Sequence, residues 1–134
     1  MTYHDPCYLG RHSSVYDAPR RILGSIPGVT VFEMQNNKER SFCCGGGSGG
    51  SWKDSVGKES LGEIRIKEAI GTGAEVIATA CPYCIRMLNE SITKLGAGNR
   101  IKVQDIAELL LQSVDLPDIS AKTGKNYSQE ETHV

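Results

Sequence analysis

Much is missing from this 134-residue chain, and each absence narrows its chemistry. An excess of either charge is missing: 15 Lys and Arg stand against 16 Asp and Glu, a net charge of −1. That balance gives no electrostatic case for nucleic acid or for an anionic membrane surface. No apolar run approaches the ~18 residues of a transmembrane helix. The first residues, Met1 to Cys7, are polar and lack the apolar core of a signal peptide. A sixth cysteine is missing too, so the five present cannot all pair as disulfides. These absences predict a reducing, cytoplasmic setting, with membrane association only through a partner or flanking segments. Cysteines there serve metals or catalysis more often than structural bridges.

What is present is ordinary in bulk. Hydrophobic residues make up 39% and charged residues 23%, the balance of one soluble domain that can bury a core without disulfides. Thr2-Tyr3 reads as the tail of a strand leading to Cys7. Strands usually have ~5–6 residues, so the chain is expected to be a C-terminal piece of a larger polypeptide. A helix is expected over residues 15–26, capped by Asp17, with Pro19 in its first turn and Pro27-Gly28 stopping it. Residues 29–34 are apolar and β-branched and read as a buried central strand. Residues 61–70 read as a helix with Leu61, Ile64 and Ile70 near one face. Glu63, Arg65, Lys67 and Glu68 are expected to form its solvated side. A short strand follows at residues 75–79. Cys81-Pro82 then opens a helix reaching about residue 94, since proline suits a first helical turn. Lys102-Val103 fits an edge strand, and Asp105 caps a helix through about residue 114. The polar residues 115–134 read as a disordered tail, leaving residues 1–114 as the cysteine-rich domain.

Alternating strands and helices at this spacing predict an α/β fold with a mainly parallel sheet, flanking helices and right-handed crossovers. Ligands in such sheets gather beyond the carboxyl ends of the strands. The topology sends Cys7, the Cys43–Cys44 pair and Cys81–Cys84 to that edge. Four readings of these thiols stand side by side. Free cysteines can be small buried hydrophobes, which suits one cysteine better than five. Cys81-Pro82-Tyr83-Cys84 at a helix start resembles a glutaredoxin active site, but it lies far along the chain and leaves three cysteines without a role. Four cysteines can hold a structural zinc, with the fifth surplus. An iron–sulfur cluster uses every thiolate. Gly45, Gly47 and Gly50 also satisfy G-x-G-x-x-G, a weak nucleotide signal that any glycine run meets. Close backbone approach to a cluster, with N–H groups of Gly45, Gly46 and Gly47 donating to sulfur, accounts for the glycines better. His4 and His12 flank Cys7, and either can sit behind the ligands or carry a proton. Arg11 can offset the charge of a thiolate-ligated cluster, and Trp52 fits core packing.

Three segments carry a family resemblance: Tyr3-His4-Asp5-Pro6-Cys7-Tyr8-Leu9-Gly10-Arg11, Ser41-Phe42-Cys43-Cys44-Gly45 and Ala78-Thr79-Ala80-Cys81-Pro82-Tyr83-Cys84. Together they resemble the cysteine-rich "CCG" domain of heterodisulfide reductase and related iron–sulfur oxidoreductases. The likeness is strongest to members linked to electron-transfer flavoprotein. It implies an electron-transfer domain whose Cys7, Cys43, Cys44, Cys81 and Cys84 hold a [4Fe-4S] cluster, cubane or noncubane, with zinc as the alternative metal. It also implies partners: the remainder of a larger oxidoreductase, a flavoprotein or flavin dehydrogenase as donor, and a quinone or disulfide as acceptor. The chain departs from the family in its uncharged stretch Gly46-Gly47-Ser48-Gly49-Gly50-Ser51-Trp52, where a basic residue is common.

Overall fold

The computed structural model describes residues 1–47 and 59–114. The expected tail, Ser48, Gly49, Gly50 and Trp52 lie outside the described residues. The described residues form a three-stranded parallel sheet of β1 (Thr2–Tyr3), β2 (Val76–Thr79) and β3 (Lys102–Asp105), in the order β1-β2-β3. Four α-helices surround it: α1 (Asp17–Gly24), α2 (Leu61–Gly71), α3 (Pro82–Lys94) and α4 (Ile106–Gln112). The expected α/β architecture is therefore present, and Lys102-Val103 does belong to an edge strand.

The layering follows from the two-residue period of a strand, which turns successive side chains to opposite faces. Ile77 and Val103 face a core made with Ile66, Ala69, Leu88 and Ile92 of α2 and α3. Ala78 faces the other core, with Tyr3, Leu23 of α1, and Ile106 and Leu109 of α4. The sheet is thus sandwiched between two helix pairs, and a one-residue slip of β2 would exchange the two sets.

Local chemistry sets most boundaries. Ser60 and Glu63 form a reciprocal capping box at the start of α2. Pro82 occupies the first turn of α3, where its missing N–H costs nothing. The Asp105 carboxylate accepts from Ala107 N at 2.8 Å and caps α4. Three expectations are overturned. Helix α1 is shorter than residues 15–26 and its N-cap is Tyr16; Asp17 lies within the first turn and pairs instead with Lys38 Nζ at 3.1 Å. Residues 29–34 are not a central strand: a single bridge joins Phe32 to Thr2 on the outer side of β1, whose two residues offer too little edge for a ladder. Helix α2 buries Gly62, Arg65, Ile66 and Ala69, while Leu61 is exposed. Arg65, expected on the solvated side, has 0% exposure. Its guanidinium spends its donors inside the protein, as described below.

Candidate metal centre

The parallel register of β1 and β2 builds the floor of the site. Tyr3 pairs with Ala78, so His4 lies beside Thr79 as both strands end. His4 N donates to Ala78 O at 2.9 Å, and Thr79 Oγ1 donates to His4 O at 3.2 Å. Beyond these ends the chain turns through Asp5 and Pro6 to Cys7 on one side and through Ala80 to Cys81 on the other. Helix α3 begins immediately and carries Cys84 in its first turn.

All five cysteines are free thiols. Cys44 and Cys84 are buried in the core between the sheet and helices α2 and α3, with Cys43 and Cys81 packed against it. Cys7 and Cys43 line one small cavity together with Asp5, Arg11, Lys38 and Ser41. The thiols therefore fall into two neighbourhoods, Cys7 with Cys43 at the small cavity and Cys44 with Cys84 in the core. A ring nitrogen of His4 and the sulfurs of Cys44 and Cys84 all lie within 4.8 Å of one another.

Backbone geometry directs donors at these sulfurs. Gly45 has φ +89°, a left-handed conformation that favours glycine, and its N–H donates to Cys43 Sγ at 3.4 Å. Gly46 turns its N–H toward Cys44. A Cβ on Gly46 would stand 2.8 Å from Met87 Cγ and 3.7 Å from Cys44 Sγ, so the space beside this sulfur stays open because no side chain fills it. Gly47 shows no such packing: a Cβ there would meet nothing within 4 Å.

Two thiols divide one proton unequally. The Cys84 thiol, then His4 and the Gly46 N–H, hold Cys44 well below the ordinary thiol range, at about 4. The same Cys44 charge, together with burial, pushes Cys84 above that range. The additional donors on Cys44 are what set the direction of this split. Burial lowers the proton affinity of His4, and the neighbouring Cys44 works against that shift. His4 is fully buried, and its Nε2 has no hydrogen-bond partner among the described residues.

The least anticipated element is Arg65. It donates from Nε to His4 Nδ1 at 3.1 Å, from NH1 to Asn36 O at 2.6 Å and to Glu68 Oε2 at 2.8 Å, and from NH2 to Ser41 Oγ at 3.3 Å. Burial lowers its proton affinity and the Glu68 carboxylate opposes that only in part; a guanidinium nonetheless stays charged in a protein. Nothing in the local sequence marks it except its position beside Ile66 on what proves to be the inner face. Asp5 is a second missed residue. Arg20 grips its two oxygens at 2.8 and 3.0 Å, Lys38 N donates to it at 2.9 Å, and Arg20 also holds Glu33. These bonds fix the turn into Cys7. Arg11 donates to Ser41 O at 2.9 Å beside the Cys7–Cys43 cavity. His12 is exposed, and its ring lies tilted against that of Tyr8 with centroids 5.1 Å apart.

The donor set suits a soft metal or cluster. Thiolates select zinc, copper(I) and iron–sulfur groups over hard cations, and an unpartnered buried nitrogen beside two sulfurs leaves room for one more interaction. No helix among the described residues is long and apolar enough to cross a membrane.

Comparison with known proteins agrees with this donor set. The family model described as "CCG: Cysteine-rich domain" matches residues 1–89. The chain is 41% identical over 114 residues to the probable iron-sulfur-binding oxidoreductase FadF of Bacillus subtilis, covering 85% of this chain and 16% of that protein. It is 42% identical over 116 residues to one subunit of the dihydromethanophenazine:CoB--CoM heterodisulfide reductase of Methanosarcina barkeri, covering 87% of this chain and 28% of that protein. It is 37% identical over 122 residues to the EtfAB:quinone oxidoreductase of Syntrophomonas wolfei, covering 86% of this chain and 17% of that protein. The chain thus spans between about a sixth and just over a quarter of these relatives. No solved structure matches it. By its matched segment, which contains all five thiols, the chain belongs to the CCG cysteine-rich domain family.

Proposed function

We propose that this chain is an iron–sulfur electron-transfer domain of a larger oxidoreductase. Cys7, Cys43, Cys44, Cys81 and Cys84 are its ligands, and a [4Fe-4S] group is the cofactor that five thiols serve best. The observation that carries this reading is the close approach of the Cys44 and Cys84 sulfurs to each other and to His4, with Cys43 and Cys81 packed against the same core and Cys7 sharing a cavity with Cys43. When bound, such a cluster supplies one-electron transfer. The residues of the chain do the rest. The Gly45 and Gly46 N–H groups and His4 place positive dipoles against sulfur, and Arg11 adds a positive charge at the Cys7–Cys43 end. The Asp5–Arg20–Glu33 network holds the Cys7 turn in place. In this proposal the electron donor of the larger protein is a flavoprotein such as electron-transfer flavoprotein and the acceptor is a quinone or a disulfide, a reading supported by relatives named as an EtfAB:quinone oxidoreductase and a heterodisulfide reductase.

Zinc held by four of the thiols is the second reading, and the close approach of the Cys44 and Cys84 sulfurs supports it. A thiol–disulfide enzyme using Cys81 and Cys84 is the third reading, and it leaves Cys7, Cys43 and Cys44 without a role. Anaerobic reconstitution followed by iron, acid-labile sulfide and zinc analysis, with EPR after oxidation and after reduction, separates them. Iron and sulfide in cluster proportion are expected. Stoichiometric zinc without sulfide would reject the cluster.

A further inference from the structure

The buried contact between Arg65 and His4 carries a consequence for the role of His4, resting on the cluster reading above. Arginine has only N–H groups and accepts no hydrogen bond. Its Nε donates to His4 Nδ1 at 3.1 Å, so Nδ1 presents a lone pair. A neutral imidazole holds one proton, and that proton must then sit on Nε2. A metal-ligating histidine is arranged the other way round: its second nitrogen donates to a carboxylate, carbonyl or water. Arg65 occupies the position such an acceptor would need. The three-residue grouping of His4, Cys44 and Cys84 therefore comprises two thiol ligands and one N–H donor.

We propose that Arg65 fixes His4 as a hydrogen-bond donor to the sulfur of Cys44, so that His4 favours the reduced form of the bound cluster without being one of its ligands. Hydrogen bonds to cluster sulfurs raise the reduction potential. The arrangement is rigid because Arg65 is itself anchored at Asn36 O, Glu68 and Ser41, and Glu68 also accepts from the Asn36 amide. Arg65 thereby ties helix α2 to the segment leading into Cys43. It acts through His4 as a positioning residue.

Ring-nitrogen NMR on the metal-free, 15N-labelled chain tests the first step without any cofactor. His4 is expected to carry its proton on Nε2 with Nδ1 bare, and a proton on Nδ1 would overturn the proposal. In the iron-loaded chain, His4→Leu is expected to retain wild-type iron and sulfide while its midpoint potential shifts negative. His4→Gln, which keeps an N–H donor, should recover part of that shift. Arg65→Lys, which keeps the charge and loses the planar fork, should shift the potential in the same direction by less and populate both His4 tautomers. Strong directly bonded 14N coupling in pulsed EPR, with loss of iron from His4→Leu, would make His4 a ligand and refute the proposal. Should no iron and sulfide bind at all, the cluster reading fails, and the metal-free measurement still decides the Arg65–His4 arrangement.

Discussion

Replacing Gly62 with alanine tests how the core beneath Cys44 is packed. Gly62 lies in the first turn of α2 where it meets α3. A Cβ built there would fall 2.2 Å from Ser91 Oγ, 3.3 Å from Ser91 Cβ and 3.2 Å from the Cys44 carbonyl. Ser91 cannot simply swing aside, because it is buried and its Oγ donates to Met87 O at 2.9 Å. Overpacking of this kind costs about 1–3 kcal/mol. Against it stands the helix preference of Ala over Gly, at most ~1 kcal/mol. The expected net effect is a loss of about 1–2 kcal/mol. Urea denaturation of the metal-free chain reads this as a midpoint lowered by roughly 0.5–1 M, for a slope of about 2 kcal/mol/M. Adding Ser91→Ala removes the 2.2 Å obstacle and should return at least half of the loss. The double-mutant cycle should then show a favourable coupling of about 1 kcal/mol. A Gly62→Ala midpoint equal to or above wild type, or no coupling to Ser91, would refute the packing argument.

Three other outcomes are expected. Stability of the metal-free chain should rise with pH between about 4 and 9. Cys44 is already ionised when folded down to about 4, whereas its unfolded form binds a proton below an ordinary value of 9.0, so its contribution is full above 9 and is lost as pH falls toward 4. Burial of neutral His4 acts with the same sign below about 6.5, so Cys44→Ala should flatten the urea midpoints between pH 7 and 9; a slope unchanged by that substitution would contradict the assignment. Asp5→Ala leaves Lys38 N without its acceptor and half of the Arg20 fork unpaired, and about 3 kcal/mol should be lost in thermal or urea unfolding, with a change below 1 kcal/mol counting against it. Asp105→Ala removes the α4 cap and should cost about 1 kcal/mol, seen as a lowered melting temperature with the iron content unchanged.

Legibility differed by the range of the physics involved. Helices α3 and α4 were readable because their signals are local: Pro82 at a first turn, Asp105 as a cap, and apolar spacing behind each. The place of Cys7 and Cys81 beyond the ends of β1 and β2 was readable because those strands are parallel, whereas Cys43 and Cys44 do not follow the strand expected before them. Residues 29–34 misled because β-propensity measures fit to a sheet, and here the neighbouring strand offers only two residues. Arg65 was hidden because a charged side chain on an amphipathic helix normally faces water. Its burial depends on acceptors at Asn36, Ser41 and His4, which lie 24 to 61 residues away in sequence. Such long-range satisfaction leaves no mark in the neighbouring residues. Asp5 was missed for the same reason, since its partner Arg20 lies across a turn on α1.

The pairing of β1 with β2 also sets an order of events. The bond from Thr79 to His4 spans 75 residues, and closing a loop of that length costs about 4 kcal/mol in chain entropy. Cys7 belongs to one end of that loop and Cys81 to the other, so the five thiols are scattered until it closes. Folding of so non-local a sheet is slow compared with helix formation. On the cluster reading, the thiols at the two ends of that loop come together only when it closes. A cofactor held by thiols from both ends of the loop would then depend on the same β1–β2 pairing that closes it, so weakening that pairing should weaken both the fold and the site.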